Sequence, residues 1–281
     1  MEIRFEHSPK EVSRMNTQEL REAFLMSDLM KADELAYIYS HYDRLITGGV
    51  QPVKQAVALE NHAELRAEYF LERRELGIIN VGGSGTVTAD GETFELHKQS
   101  CLYLGKGTKE VSFRSNDAAQ PASYFLLSSP AHAEYPKRLM HKEEASPVAL
   151  GSTETANKRT VFKYIHLEGI RSCQLVMGLT VLEAGSVWNS IPPHTHTRRT
   201  EVYFYFDVAD DQRVFHYMGE PQETRHIVMK NYEAVVSPPW SVHCGSGTSN
   251  YGFIWAMAGE NQVYSYLQQL GRTPFFQKQK P

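Results

Sequence analysis

LGIINVGGSGTVTADGETFEL, residues 76–96, decides the fold of this chain. Three short apolar runs, LGIINV, GTVTA and TFEL, are separated by glycine-rich and Asp-Gly punctuation. Runs of that length bounded by turn residues read as β-strands rather than helices. Asp90-Gly91 reads as a hairpin turn, because both residues tolerate the positive φ that a two-residue loop demands. Outward from this stretch, the same texture starts near residue 65. It resumes near residue 160 with CQLVMGLTVL, EVYFYF, HIVM, EAVVS and YGFIWAM. Many short strands at this spacing predict a mainly β protein of the jelly-roll sandwich or barrel kind.

Between the two β-rich stretches lies RLMHKEEASPVALGSTETANKRT, residues 138–160, which reads as a polar connector. It divides the chain into a first unit over 1–150 and a second over 151–281. A helix is expected near the start, with Asn16 as its cap, Glu19 at the capping-box position, and Leu20, Phe24 and Leu25 as its apolar face. The tail from Glu260 to Leu270 reads as a short helix. The halves also resemble each other weakly. FLERRELGIINVGGSG laid on HTRRTEVYFYF sets Glu75 opposite Glu201, and YLGKGTKEV laid on SPPWSVHCG sets Lys109 opposite His243. Glu68 and Phe70 then take the places of His194 and His196.

Composition limits the function classes. A chain of 281 residues with a net charge of −4 and no concentrated basic stripe is not expected to bind nucleic acid. The opening MEIRFEHSPKEV is too polar for a signal peptide, and no apolar stretch reaches membrane-spanning length. Three widely spaced cysteines, Cys101, Cys173 and Cys244, suit a reducing cytoplasm better than a disulfide framework.

IPPHTHTRRTEVYFYF, residues 191–206, carries the chemistry. In a strand, residues two apart share a face, so His194 and His196 project together. Glu201 lies an odd number of positions further on and would face away in an unbroken strand. A hairpin turn over Thr197–Thr200 returns it toward both histidines, with Tyr203 and Tyr205 following on the same inner face. His243, in SPPWSVHCG after the Pro238-Pro239 turn, is the fourth candidate. Three imidazoles and one carboxylate suit zinc, iron, manganese or nickel with open coordination positions, rather than a structural zinc knot.

Gly185, His194-x-His196-x4-Glu201 and Pro239-x3-His243 resemble the two metal motifs of the cupin superfamily, although Gly185 stands further from His194 than usual. Longer strings narrow the resemblance. FLERRELGIINVGGSGTV, LYLGKGTKEV, HTHTRRTEVYFYF, GEPQETRHIVM and FIWAMAGENQ resemble the 5-keto-4-deoxyuronate isomerase family, also called 4-deoxy-L-threo-5-hexosulose-uronate ketol-isomerases. The similarity runs from YSHYDRLITGG, residues 39–49, to GENQ.

The resemblance implies a bicupin of two jelly-roll domains with a few short helices, its first half a metal-free copy. It implies one zinc ion per chain on His194, His196, Glu201 and His243, and a homo-oligomer, a hexamer. It also implies a small-molecule uronate substrate in bacterial pectin breakdown, isomerised to 3-deoxy-D-glycero-2,5-hexodiulosonate. Other readings of the same ligand set are a 5-deoxyglucuronate isomerase, an iron-dependent oxygenase and a non-catalytic sugar-acid binder.

The proton-transferring group is not legible at this level. Tyr203 and Tyr205 are candidates by parity with Glu201. Glu223 and His226 are candidates as polar residues on an apolar strand, and alternation sends Glu223 and Arg225 to one face and His226 to the other. Arg199 and Arg225 are candidates for the substrate carboxylate. Trp240 and Trp255 read as packing, His41 and His216 as ordinary polar residues, and the ERRE run at 72–75 as a solvated charged face.

Overall fold

The structure, a computed structural model, describes residues 1–260. The helix expected over Glu260–Leu270 falls, beyond its first residue, outside the described residues. The protein is mainly β. Its first-half strands are β1 (Glu2–Arg4), β2 (Leu25–Met26), β3 (Leu35–Ser40), β4 (Ile46–Val50), β5 (Val57–Ala58), β6 (Arg74–Asn80), β7 (Gly85–Ala89), β8 (Glu92–Leu96), β9 (Cys101–Leu104), β10 (Val111–Ser115), β11 (Tyr124–Pro130) and β12 (Arg138–Met140). The second-half strands are β13 (Val148–Leu150), β14 (Arg159–Ile165), β15 (Val176–Leu182), β16 (Trp188–His194), β17 (Arg199–Phe206), β18 (Val214–Glu220), β19 (Glu223–Met229), β20 (Ala234–Ser237), β21 (His243–Gly247) and β22 (Gly252–Gly259).

The opening sequence motif folds as its residues dictate. LGIINV lies in β6 and its exit, and GTVTA and TFEL form the β7–β8 hairpin. Ala89 pairs with Glu92 across the turn, where Asp90 and Gly91 have φ of 51° and 82°. Asp90 Oδ1 also accepts the Lys109 and Glu110 backbone N–H groups at 2.9 Å each, tying the hairpin to the next strand.

The strands form four sheets. A seven-stranded sheet, β1-β3-β4-β11-β6-β9-β12, accompanies a four-stranded one, β5-β10-β7-β8. The second half holds β13-β14-β15-β22-β17-β20-β2 and β16-β21-β18-β19. From β3 to β11, each strand has a counterpart eleven places later in the same order, and only the flanking strands differ, β1 and β12 in the first large sheet against β13 and β2 in the second. The two large sheets meet back to back. Phe125 of β11 and Phe204 of β17 approach to 4.9 Å between ring centroids, and Ile79, Cys101 and Leu127 share one core with Val176 and Met177. Gly77 makes that approach possible, since a Cβ there would sit 2.1 Å from Met177 Sδ.

Register places the repeat one residue away from the sequence alignment. Arg74 pairs with Pro130, the last residue of β11, as Arg199 pairs with Gly259, the last of β22. Leu76 pairs with Leu104 at the end of β9, as Glu201 pairs with Ser237 at the end of β20. Leu76, not Glu75, is therefore the counterpart of Glu201. A one-residue shift reverses the face. Leu76 joins the first-half interior, whereas Glu75 points at the other half.

That orientation overturns the reading of ERRE as solvated, because Arg74 and Glu75 are buried. Glu75 accepts from the backbone N–H groups of Cys173, Gln174 and Leu175 at 2.7, 2.7 and 3.0 Å. It also accepts from the Tyr103 and Ser129 hydroxyls. A buried carboxylate with five donors is well satisfied, and here it fastens the halves together.

The 138–160 segment is not loop throughout. It supplies β12 to the first large sheet and β13 to the second. The N-terminal helix is present as α2 (Thr17–Phe24), with the Asn16–Glu19 capping box, and a shorter helix, α1 (Pro9–Val12), precedes it with a Ser8–Glu11 box. After α2 the chain enters β2, which adds to β20 in the second-half sheet. Leu25 thus begins a strand rather than extending the helix face.

Candidate metal centre

β16 and β21 belong to the small second-half sheet, and His194 lies opposite His243 in their ladder. After His194 the chain does not make the expected hairpin. It crosses to the large sheet, with His196 in the crossing and Glu201 on β17. The Thr197–Thr200 turn is corrected accordingly, since Arg199 and Thr200 already belong to β17. Glu201 meets the histidines because the two sheets face each other across the interior of the half.

The nitrogen atoms of His194, His196 and His243 that can bind a metal lie within 4.8 Å of one another. His196 Nε2 stands 2.9 Å from His243 Nε2, and both stand 2.9 Å from Glu201 Oε2. His243 Nδ1 faces the Ser241 carbonyl at 3.4 Å, and His194 Nδ1 faces the Pro192 carbonyl at 3.3 Å. A proton on each Nδ1 leaves the Nε2 lone pair bare. The Nε2 atoms of His194 and His243 and the Glu201 carboxylate then converge as acceptors, with His196 Nε2 among them, an arrangement that a cation between them would stabilise. Ligands about 2.1 Å from a shared ion stand roughly 3.0–3.4 Å apart, so the 2.9 Å separations need only a small opening of the cluster to admit one. The residues therefore fit a divalent metal.

Electrostatics point the same way. Burial, reinforced by the neighbouring imidazoles, lowers His194 to about 3 and His196 to about 4. Burial pushes the Glu201 carboxyl up, but the facing His243 and His196 together outweigh it and hold the group ionised, well below the carboxylate range. Neutral His194 and His196 beside an ionised Glu201 are protonation states that metal binding requires.

Tyr203 and Tyr205 lie on the Glu201 face of β17, as alternation predicts. Tyr203 packs 5.6 Å from the His243 ring, and its hydroxyl meets Ser190 Oγ at 2.5 Å. The Tyr205 hydroxyl meets His216 Nδ1 at 2.9 Å. Burial pushes both phenols well above their usual value. His216 is the residue that sequence reading missed, for it is fully buried behind the site. Burial, then the nearby His243, lowers it to about 3. The available signal is alternation: His216 shares an inward face with Val214 and Met218.

Arg199 is buried on the same face of β17 as Glu201, not solvated in a turn. Glu223, Arg225 and His226 occupy the edge strand β19 and are not brought to the histidines. Glu223 pairs with Arg225 at 2.6 Å, and Arg225 donates to the Ser13 carbonyl at 2.6 Å, which straps the N-terminal segment down. His226 is exposed beside Phe215. Trp255 is buried and donates to Thr180 Oγ1 at 3.2 Å, while Trp240 packs against the core, both as expected. His41 is exposed, stacked on Phe5 at 4.7 Å.

A model of the KduI/IolB family matches residues 25–269. The 4-deoxy-L-threo-5-hexosulose-uronate ketol-isomerase of Shouchella clausii (strain KSM-K16) is 54% identical over 265 residues, covering 94% of this chain and 96% of that protein. The protein of the same name from Escherichia coli (strain SE11) is 50% identical over 272 residues, covering 96% and 98%. An IolB-like protein from Salmonella typhimurium LT2 superposes with a TM-score of 0.63 at 16% identity, over 78% of this chain and 85% of its own. Lactobacillus farciminis oxalate decarboxylase superposes with a TM-score of 0.55 at 13% identity, over 78% of each chain. At such identities the structural likeness concerns the fold alone.

Proposed function

The chain belongs to the KduI/IolB family, and from that premise we propose that it converts 4-deoxy-L-threo-5-hexosulose uronate into 3-deoxy-D-glycero-2,5-hexodiulosonate. The observation that carries the activity is 54% identity to a named ketol-isomerase along 94% of the chain. The fold reading that accompanies it is a bicupin, two jelly-roll domains over 1–150 and 151–281. The recurrence of strand order supports it.

His194, His196, Glu201 and His243 are the proposed ligands of one zinc ion per chain, supported by the convergence of three imidazoles and one carboxylate on a single point. When bound, the ion supplies Lewis acidity to the substrate's adjacent carbonyl and hydroxyl oxygens, with no redox change. Glu201, held ionised, contributes the negative charge that balances part of the ion's own. Arg199 is the proposed partner of the substrate carboxylate, being a buried cation one pleat from Glu201 on its face. Arg225 is spent on Ser13 and Glu223. Among the proton-transfer candidates we retain Tyr203, whose raised pKa keeps it a phenol, able to donate rather than abstract a proton. Tyr205 orients His216 instead, and the edge-strand positions of Glu223 and His226 favour solvent. The buried, unpaired cysteines accord with a cytoplasmic setting, and the resemblance supports a homo-oligomer, a hexamer.

Metal analysis paired with an isomerase assay, on wild type and His243→Ala, tests this reading. The variant should lose metal and activity together while its circular dichroism stays that of wild type. Full metal content in the variant, or an inactive metal-loaded wild type, would refute it.

A further inference from the structure

Among the described residues the histidine cluster belongs to the second half, and the first half holds a cleft of its own. A cleft of about 570 Å³ opens there, lined among others by Tyr39, His41, Arg66, Phe70, Arg73 and Arg74. We propose that this cleft is a second, metal-free binding site for the carboxylate of a small sugar acid.

Arg74 carries the case. It is 7% exposed, and its Nε and one terminal nitrogen donate to Ser128 Oγ, the Ser128 carbonyl and the Arg44 carbonyl at 3.0, 3.0 and 2.6 Å. All of these acceptors are neutral. No carboxylate among the described residues lies within ion-pairing distance of it, for its neighbour Glu75 faces the other way. The other terminal nitrogen, on a side chain that lines the cleft, has no acceptor among the described residues. A buried guanidinium without a counter-charge is costly to keep, and burial lowers its pKa only to about 10, so it stays charged.

The surroundings favour an anion. Arg66 and Arg73 join Arg74 on the wall, and Arg73 is braced by donating to the Leu65 and Arg66 carbonyls at 2.6 Å each. Among the described residues, Glu64 is the one acidic residue on the lining, against three arginines, a formal surplus of two positive charges there. Its carboxylate is engaged by the His62 imidazole. Tyr39 and Phe70 add aromatic walls suited to the body of an organic acid rather than to a bare ion. Register reinforces the assignment, because Arg74 occupies in β6 the place of Arg199 in β17.

The test uses D-galacturonate, D-galactose and inorganic phosphate, titrated calorimetrically into chelator-treated, full-length His243→Ala protein. That background removes the second-half metal centre, so the outcome does not depend on the isomerase reading. Galacturonate should bind and galactose should not. Adding Arg74→Lys should weaken binding about tenfold or more, as expected when a planar fork is replaced by a point charge. Arg66→Ala, at an exposed position, should also weaken it and keeps the test decisive if the Arg74 variant misfolds. The proposal is overturned if galacturonate does not bind, if galactose binds as well, if phosphate alone binds, or if the folded arginine variants bind like wild type.

Discussion

At the scale of single residues, the candidate metal centre depends on protonation as much as on position. The lowered pKa values of His194 and His196 determine how the metal-free protein responds to acid. Unfolded, these histidines take up protons near pH 6.5; folded, they resist until about pH 3 and 4. The unfolded state thus binds more protons in between, and stability must fall as pH drops through that window. Glu201, ionised in the fold, adds to the same trend at still lower pH. Melting temperatures of chelator-treated protein between pH 7 and 4 should decline, and His194→Gln should flatten the decline. A flat wild-type profile would contradict the assigned states. His216 offers a separate prediction. His216→Phe removes the partner of the Tyr205 hydroxyl, at a cost of about 1–3 kcal/mol. Denaturant titration should record that loss while metal content stays at the wild-type level.

At the scale of elements, turn chemistry and strand register have different visibility. The β7–β8 hairpin was legible because Asp90-Gly91 is a local signal. Gly91 stands at φ 82° with open space around it, so Gly91→Ala should cost only backbone strain, about 1–2 kcal/mol. Chemical denaturation measures this directly. Register is set by partners distant in sequence, and for that reason the alignment of Glu75 with Glu201 missed by one residue and the ERRE run was misread. Glu75→Ala would leave three backbone N–H groups from residues 173–175 without their acceptor. We expect a loss of about 3–5 kcal/mol, visible as a lower unfolding midpoint, with metal still bound if the protein folds. A surface-like loss below about 0.5 kcal/mol would show that Glu75 does not join the halves.

At the scale of the whole molecule, the halves are bound by more than their back-to-back sheets. Residues 1–26 begin the chain but end in the second-half sheet, where β2 covers the edge of β20 and Arg21 donates to the Val228 carbonyl at 3.0 Å. Deleting this segment would remove the buried Leu20, Phe24, Leu25 and Met26 and expose a strand edge. The truncated protein should melt earlier and aggregate, as light scattering during a thermal ramp would reveal. Retained melting behaviour would mean that the segment merely rests on the surface.

By itself the sequence determined the class of fold, the strands around Asp90-Gly91, the capping of α2 and the residue types that gather at the candidate metal centre. Each of these depends on interactions within a few residues, or on chemistry carried by one side chain. Only the tertiary structure decided that His196 lies in a crossing between sheets, that His216 is buried behind the histidine cluster, that Arg225 holds the N-terminal segment, and that Arg74 lines a cleft with no carboxylate among the described residues in ion-pairing range. Those outcomes depend on which sheets face each other, and local patterning does not encode the pairing of strands far apart in the chain.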